Sequence, residues 1–150
     1  MDLAPARRHR AGHVRHHAHR TCGPGPITIR FALGVDAVLS GANGVAYLAL
    51  AGPLGDLFGL PADTLRILGA LFVVYAGVLA LLMRRPGSIG VAAVIAGNTL
   101  WVIASLAAAI AGWQDPTTAG TVWIVLQALL VAGFAELQVA SAPWRAGTTS

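Results

Sequence analysis

The sequence predicts an all-α membrane protein, an antiparallel bundle of four transmembrane helices behind an N-terminal tail. Two features of composition predict it: 56% of the 150 residues are hydrophobic and only 11% are charged, with a mean hydropathy of +0.70. A soluble domain carries about a quarter charged residues, so this chain lacks the polar surface that water requires. The third observation is that the apolar residues fall into four long windows separated by short polar connections.

Each window is long enough to cross a membrane, because an apolar layer of about 30 Å needs about 20 helical residues. The predicted spans are residues 31–50, 65–83, 89–112 and 121–140. The connections contain the Pro, Gly and Asp residues that end helices, and short connections make consecutive helices antiparallel neighbours. We therefore predict a transmembrane domain at 29–141, preceded by a disordered Arg/His-rich tail at 1–28 and followed by a cytoplasmic tail at 142–150.

The arginines predict the orientation. Residues 1–30 hold six arginines and one aspartate, a net charge of +5, whereas the rest of the chain has a net charge of −1. Arg84 and Arg85 lie between the second and third spans, and Arg145 follows the fourth. Because positively charged loops stay in the cytoplasm, both termini are predicted to be cytoplasmic, in the inner membrane of a bacterium.

Polar residues interrupt the first span at helical spacing. Asp36, Ser40, Asn43 and Tyr47 are separated by four, three and four positions, so they line one face of a helix. A central aspartate costs about 2.5 to 3.5 kcal/mol of insertion free energy, which predicts that this face is turned toward protein and away from lipid.

Counting inward from the predicted span ends places Asn43, Asn98 and Gln127 near the middle of the layer. Asp36 and Glu136 fall at a shallower, cytoplasmic level. The sequence thus predicts a central amide cluster with a carboxylate layer beneath it. Two interpretations stay open: interhelical hydrogen bonds that only fix the packing, or a polar cavity that binds or conducts something.

Small residues recur within the spans at spacings of three, four or eight, which favours close helix packing. They are Gly34, Gly41, Gly44, Gly69, Gly77, Ala93, Gly97, Ala128 and Ala132. The pairs Ala42-Asn43 and Gly97-Asn98 lie 55 residues apart, each on the first helix of a hairpin. Two parallel-related hairpins are therefore an alternative arrangement of the bundle, with coincidence as the competing explanation.

The N-terminal tail contains all five histidines. His9, His13 and His17 are four positions apart and are weak candidates for a metal site, because no acidic or cysteine ligand lies among them and the neighbouring arginines would repel a cation. We favour a tail that contacts anionic lipid. The other hypothesis is an overextended gene start, in which residues 1–26 do not belong to the natural protein. No cofactor and no nucleic-acid partner is predicted.

The spans lack enzymatic signatures. They contain no histidine to pair with Ser40 or Ser105, no HExxH sequence, no paired cysteines and no Gly-Lys-Ser/Thr loop that would bind phosphate. An enzyme is therefore the least favoured class.

Three segments of the chain carry a resemblance: GVDAVLSGANGVAYLALAGPLGDLFGLP, GNTLWV and DPTTAGTVWIVLQALLVAGFAELQ. They resemble the small, uncharacterised four-helix integral membrane proteins common in GC-rich bacteria. The resemblance covers residues 30 to about 138 and implies a membrane location and a four-helix architecture, without an activity.

These observations favour a non-enzymatic membrane protein whose intramembrane polar cluster binds a partner or a small amphiphile. The candidate binding residues are Asp36, Ser40, Asn43, Tyr47, Asn98, Gln127 and Glu136. A proton-coupled transporter or transporter subunit is the first alternative, and a purely structural scaffold is the second. Besides the lipid bilayer, the expected partners are another membrane protein or a second copy of the chain.

Overall fold

The computed structural model describes residues 26–142 and residue 144, with side chains from residue 29 onward. Its helices are α1 (Pro26–Ala49), α2 (Ala51–Phe58), α3 (Ala62–Arg84), α4 (Ser88–Ala111) and α5 (Thr118–Ala140). This part of the chain contains no β-strand. The predicted all-α fold class is confirmed. The predicted N-terminal tail lies outside the described residues except where α1 enters it.

Four of the five helices are long and apolar enough to cross a membrane. They are α1 from Ile29, α3, α4 and α5, with lengths of 21, 23, 24 and 23 residues. At 1.5 Å per residue, each is about 30 Å long or slightly more, the thickness of the hydrocarbon layer. Their outward surfaces carry large apolar side chains, such as Ile89 and Ile110, which are 88% and 87% exposed. The architecture is that of a multi-pass membrane protein.

The connection after α1 differs from the prediction, because most of it forms the short helix α2. This helix ends at Gly59, whose φ of 71° lies in the left-handed region that favours glycine. Thr117 caps the last carbonyls of α2: its backbone N–H donates to the Phe58 carbonyl at 2.9 Å, and its hydroxyl donates to the Leu57 carbonyl at 2.7 Å. The short helix thereby joins the connection between α4 and α5, 60 residues later in the chain.

The helices pack as two pairs. α1 packs most extensively on α3, α4 packs mainly on α5, and the contacts between the two pairs are fewer. Gly44 and Gly69 bring α1 and α3 close together, since a Cβ atom on either glycine would lie 2.8 Å from the carbonyl oxygen of the other. By contrast, Gly77 and Gly97 face open space, so they take no part in the close packing that their spacing predicts.

Two apolar clusters close the ends of the bundle. One contains Ile29, Leu33, Leu79, Val91, Val94 and Ala142. The other contains Tyr47, Ala51, Phe58 and Leu65. Most of the polar side chains inside the bundle lie between these clusters or at their edges.

Candidate functional site

Asp36 is the centre of a buried hydrogen-bonded group that we call the Asp36 cluster: Asp36, Ser40, Tyr75, Asn98 and Gln138. The Asp36 side chain is 1% exposed. Its Oδ2 atom accepts hydrogen bonds from Asn98 Nδ2 at 3.0 Å and Gln138 Nε2 at 2.9 Å. Its Oδ1 atom accepts from the Ser40 hydroxyl at 3.1 Å. Both carboxylate oxygens therefore have partners.

The cluster joins all four long helices. The Tyr75 hydroxyl of α3 donates to Asn98 Oδ1 of α4 at 2.7 Å, and Asn98 Nδ2 also donates to Gln138 Oε1 of α5 at 3.2 Å. Asp36 completes the connection from α1. Asn98 is thus bonded to each of the other three helices, which makes it the connecting residue of the bundle.

Neutral donors, without a cation, stabilise the Asp36 carboxylate. The single ion pair among the described residues joins Arg66 to Asp63, at 2.7 Å on the exposed start of α3. An interhelical hydrogen bond contributes about 0.6 to 2 kcal/mol, so the two from Asn98 and Gln138, together with the Ser40 bond inside α1, offset an insertion cost of about 2.5 to 3.5 kcal/mol for an aspartate. The apolar layer tolerates Asp36 because amide and hydroxyl groups take the place of water.

A second polar group, the Tyr47 cluster, consists of Tyr47, Trp123 and Gln127. The Tyr47 hydroxyl accepts hydrogen bonds from Trp123 Nε1 and Gln127 Nε2, both at 2.7 Å. Trp123 also stacks on Phe58 of α2, with ring centroids 5.7 Å apart and planes inclined by 12°. Tyr47 and Asp36 are eleven residues apart on α1, so the two clusters are separated by about 16 Å along that helix.

Three adjoining cavities lie between and beside the Asp36 cluster and the Tyr47 cluster, where the two helix pairs meet. The first, about 170 Å³, is lined by Ser40, Leu71, Phe72, Tyr75, Gly97, Asn98, Trp101 and Val131. The second, about 260 Å³, includes Asn43 and Gln127 in its lining. The third, about 170 Å³, is lined in part by Tyr47 and Ser105. Trp101 lines all three, so it stands at their junction.

The indole N–H of Trp101 is buried and has no acceptor within the described part of the chain. A buried donor without a partner costs about 1 to 3 kcal/mol. Phe72 holds the Trp101 ring in an edge-to-face contact, with centroids 4.9 Å apart and planes at 67°. The bundle therefore keeps an unpaired, buried hydrogen-bond donor on a side chain that packs against Phe72 and lines the three cavities.

The predicted single layer of amides is wrong. Asn98 belongs to the Asp36 cluster and Gln127 to the Tyr47 cluster, while Asn43 has no side-chain hydrogen bond to the described residues and lines the second cavity beside Gln127. The error comes from the start of α1, which begins at Pro26 and not at residue 31. Asp36 and Asn98 each lie ten residues into their helices, about 15 Å, so these two side chains share a level and Asn43 lies further along.

Glu136 does not contribute to a carboxylate layer beneath the amides, contrary to the prediction. Its side chain is exposed, and it lies with Ile95 and Thr99 in an open groove between α4 and α5. Gln138, which is 0% exposed, faces Asp36 in its place. Two residues along a helix turn the side chain by about 200°, so Glu136 and Gln138 must point in opposite directions.

Sequence reasoning missed four residues of this site, Tyr75, Trp101, Trp123 and Gln138. Gln138 was detectable from the sequence. It is a polar residue of the fourth span, and its position two residues from Glu136 places it on the opposite face of the helix. No residue spacing in the sequence identifies Trp101. Its importance lies in an indole nitrogen that has no acceptor among the described residues, and this depends on the folded structure.

Among the described residues, no group of three or more His, Cys, Asp or Glu side chains comes together. The weak candidates His9, His13 and His17 lie outside the part of the chain that the structure describes. They stay a prediction from the sequence.

In comparisons with protein-family models, curated proteins and solved structures, none matched the chain. The resemblance to four-helix membrane proteins of GC-rich bacteria therefore stays a prediction, and the residues of the site have to carry the functional argument.

Proposed function

We propose that the protein is a non-enzymatic, multi-pass protein of the bacterial inner membrane that binds a small amphiphile between its two helix pairs. The binding site consists of the three cavities that share Trp101. One observation carries the proposal: Trp101 lines all three cavities, and its buried indole N–H has no acceptor in the described chain. A packed scaffold would have no reason to keep a donor unpaired beside empty space.

The lining of the cavities suits an amphiphile. Aromatic and branched aliphatic side chains form most of it, as in small-molecule sites with a few placed polar groups. The second cavity is lined largely by Leu39, Phe72, Leu130, Val131 and Phe134, which would accept an apolar body. Trp101 and the amide of Gln127 supply the polar contacts at the same cavity.

The Asp36 cluster has a different role in this proposal. Its carboxylate and both of its amides are already bonded to one another, so it fixes the relative positions of the four helices. Of the residues predicted to bind, Asn43 and Gln127 stay candidates for ligand contact. Asp36 becomes a positioning residue.

Two expectations about the membrane belong to the same proposal. Arg30 and Arg84 meet at one end of the bundle, where the Arg30 guanidinium donates to the Arg84 carbonyl at 3.3 Å, and Asp63 lies at the opposite end. The positive-inside rule then favours cytoplasmic termini. Attaching a membrane-impermeant thiol reagent to Cys22 in inside-out but not right-side-out vesicles would support this orientation.

The proposal is tested by mass spectrometry of the protein released intact from detergent or nanodiscs. We expect the wild type to retain a stoichiometric small amphiphile, and Trp101→Phe to retain less of it. Trp144→Phe is the matched control, since Trp144 is exposed and lines none of the three cavities. Equal retention by all three proteins, or an empty wild type, would contradict binding at this site.

Proton-coupled transport is a second candidate, and one observation favours it. Ser40 and Asn98 line the first cavity and are both bonded to Asp36, a carboxylate that forms no ion pair within the described residues. Water entering that cavity could contact Ser40 or Asn98, and each of these residues is hydrogen-bonded directly to the Asp36 carboxylate. In proteoliposomes, a proton-driven flux that persists in Asp36→Asn would exclude this mechanism.

A further inference from the structure

We infer that the amphiphile has an uncharged head group with a hydrogen-bond acceptor, such as the carbonyl oxygen of a ketone, an ester or a quinone, bound to Trp101 Nε1. This inference rests on the proposed function, because it names the class of molecule that would occupy the same cavities. It follows from three properties of the lining.

The first property is that the fully buried polar atom without a partner at the cavities is a donor only. Indole nitrogen carries one hydrogen and no available lone pair, so it can bind an acceptor but cannot accept from a hydroxyl or an ammonium group. Within the described residues, the structure leaves two buried polar side-chain atoms without partners, Trp101 Nε1 and Gln114 Oε1. Of these two residues, Trp101 lines the three cavities and Gln114 lines none of them.

The second property is the absence of charge. None of the residues that line the three cavities is Arg, Lys, Asp or Glu. A carboxylate or phosphate head would have no cation to pair with, and a cationic head would have no anion, in a layer where unpaired charges are costly. Aromatic faces do attract cations, but the Trp101 N–H edge, which the ligand must satisfy, repels them.

The third property is that most neighbouring polar groups are occupied, Asn43 at the second cavity being an exception. Gln127 Nε2 and Trp123 Nε1 both donate to the Tyr47 hydroxyl, and the Thr64 hydroxyl in the third cavity accepts from Gln114 Nε2. Tyr75 and Asn98 are bonded to each other at the first cavity. A head group that needed several new partners would have to break these bonds, whereas a single carbonyl oxygen would not.

The apolar part of the ligand is expected in the second cavity. This cavity has the largest volume of the three, about 260 Å³, and its lining includes Leu130 and Phe134 together with Trp101. A carbonyl at Trp101 and an alkyl or prenyl chain toward Phe134 would fill the space without an added polar contact.

The test uses two probes of equal length, 2-tridecanone and tridecane, with the full-length protein in nanodiscs. Binding is measured by equilibrium retention, and the carbonyl stretch of ¹³C-labelled ketone is measured by isotope-edited infrared spectroscopy. We expect the ketone to bind about tenfold more tightly than the hydrocarbon, the ratio that one ordinary hydrogen bond supplies, with its carbonyl frequency lowered on binding. Trp101→Phe should abolish both differences but still bind tridecane, whereas Trp144→Phe should behave as the wild type.

The outcomes separate this inference from the proposed function. Equal binding of ketone and hydrocarbon by the wild type, or an unchanged ketone affinity in Trp101→Phe, would overturn the head-group assignment and leave an amphiphile site in place. Competition by tetraphenylphosphonium or dodecanoate at the same concentration as the ketone would also overturn it, because it would show that a charged head is accepted. Binding of neither neutral probe to a folded wild type would overturn the proposed site as well.

Discussion

Asn98 Nδ2 lies 3.0 Å from Asp36 Oδ2, a contact between residues 62 positions apart that joins the two helix pairs of the bundle. The contact is buried, and its two members belong to α1 and α4. Because α1 and α4 belong to different helix pairs, the bond fixes one pair against the other. We expect the stability of the bundle to depend strongly on it.

Removal of the Asn98 amide should be more damaging than removal of the whole polar pair. Asn98→Leu leaves the buried Asp36 carboxylate without one donor and also removes the acceptor for Tyr75, so we expect a loss of about 2 to 4 kcal/mol. The double variant Asp36→Leu/Asn98→Leu should recover part of that loss, since no charge is left buried. Thermal unfolding in detergent measures both. A double variant that is no more stable than Asn98→Leu alone would contradict this prediction.

Glu136 and Gln138 should respond differently to substitution although they are two residues apart. Glu136→Gln changes an exposed side chain and should alter stability by less than about 0.5 kcal/mol. Gln138→Leu removes a donor and an acceptor from the Asp36 cluster and should cost about 1 to 3 kcal/mol. The same unfolding assay compares them, and a larger effect at Glu136 would show that its groove is occupied in the membrane.

The contact between Gly44 and Gly69 predicts a steric effect. Gly44→Ala or Gly69→Ala places a methyl group 2.8 Å from a backbone oxygen of the facing helix, so α1 and α3 must separate and stability should fall by about 1 to 3 kcal/mol. Gly77→Ala is the control, because nothing lies within 4 Å of its added carbon. The control should be neutral or slightly stabilising, as alanine is the better helix former. Equal effects at Gly44 and Gly77 would show that the close approach is absent.

Tyr47→Phe should loosen the Tyr47 cluster without disturbing the Asp36 cluster. The substitution removes the acceptor of two donors, Trp123 Nε1 and Gln127 Nε2, so we expect a loss of about 1 to 3 kcal/mol and an upfield shift of the Trp123 indole proton. Tyr75→Phe is the matched change at the other cluster and should leave the Trp123 resonance in place. A Trp123 resonance that is unchanged in Tyr47→Phe would contradict the hydrogen bond.

The sequence was sufficient for the fold class, because hydrophobic length and loop chemistry are local properties. It was also sufficient to predict that Asp36 lies on a helix face turned toward protein, because exposing a carboxylate to lipid costs too much free energy. It was insufficient for depth: the apolar window was taken to start at Phe31, whereas α1 begins at Pro26, and that shift of five residues moved Asp36 to the level of Asn98. The helix α2 was missed because its cap, Thr117, comes from a connection far along the chain. Trp101 could not be identified from the sequence, since an unpaired donor is a property of its whole surroundings.

The most direct test of the central claim is the indole region of a ¹⁵N–¹H spectrum of the full chain in nanodiscs, where four tryptophans give four resonances. Assignment follows from the four single Trp→Phe variants. On addition of 2-tridecanone, we predict that the Trp101 resonance moves downfield in a saturable manner, by more than those of Trp113, Trp123 and Trp144. A Trp101 resonance that does not respond to the ketone, or that exchanges rapidly with water before any ligand is added, would contradict a buried, unpaired donor that binds the ligand.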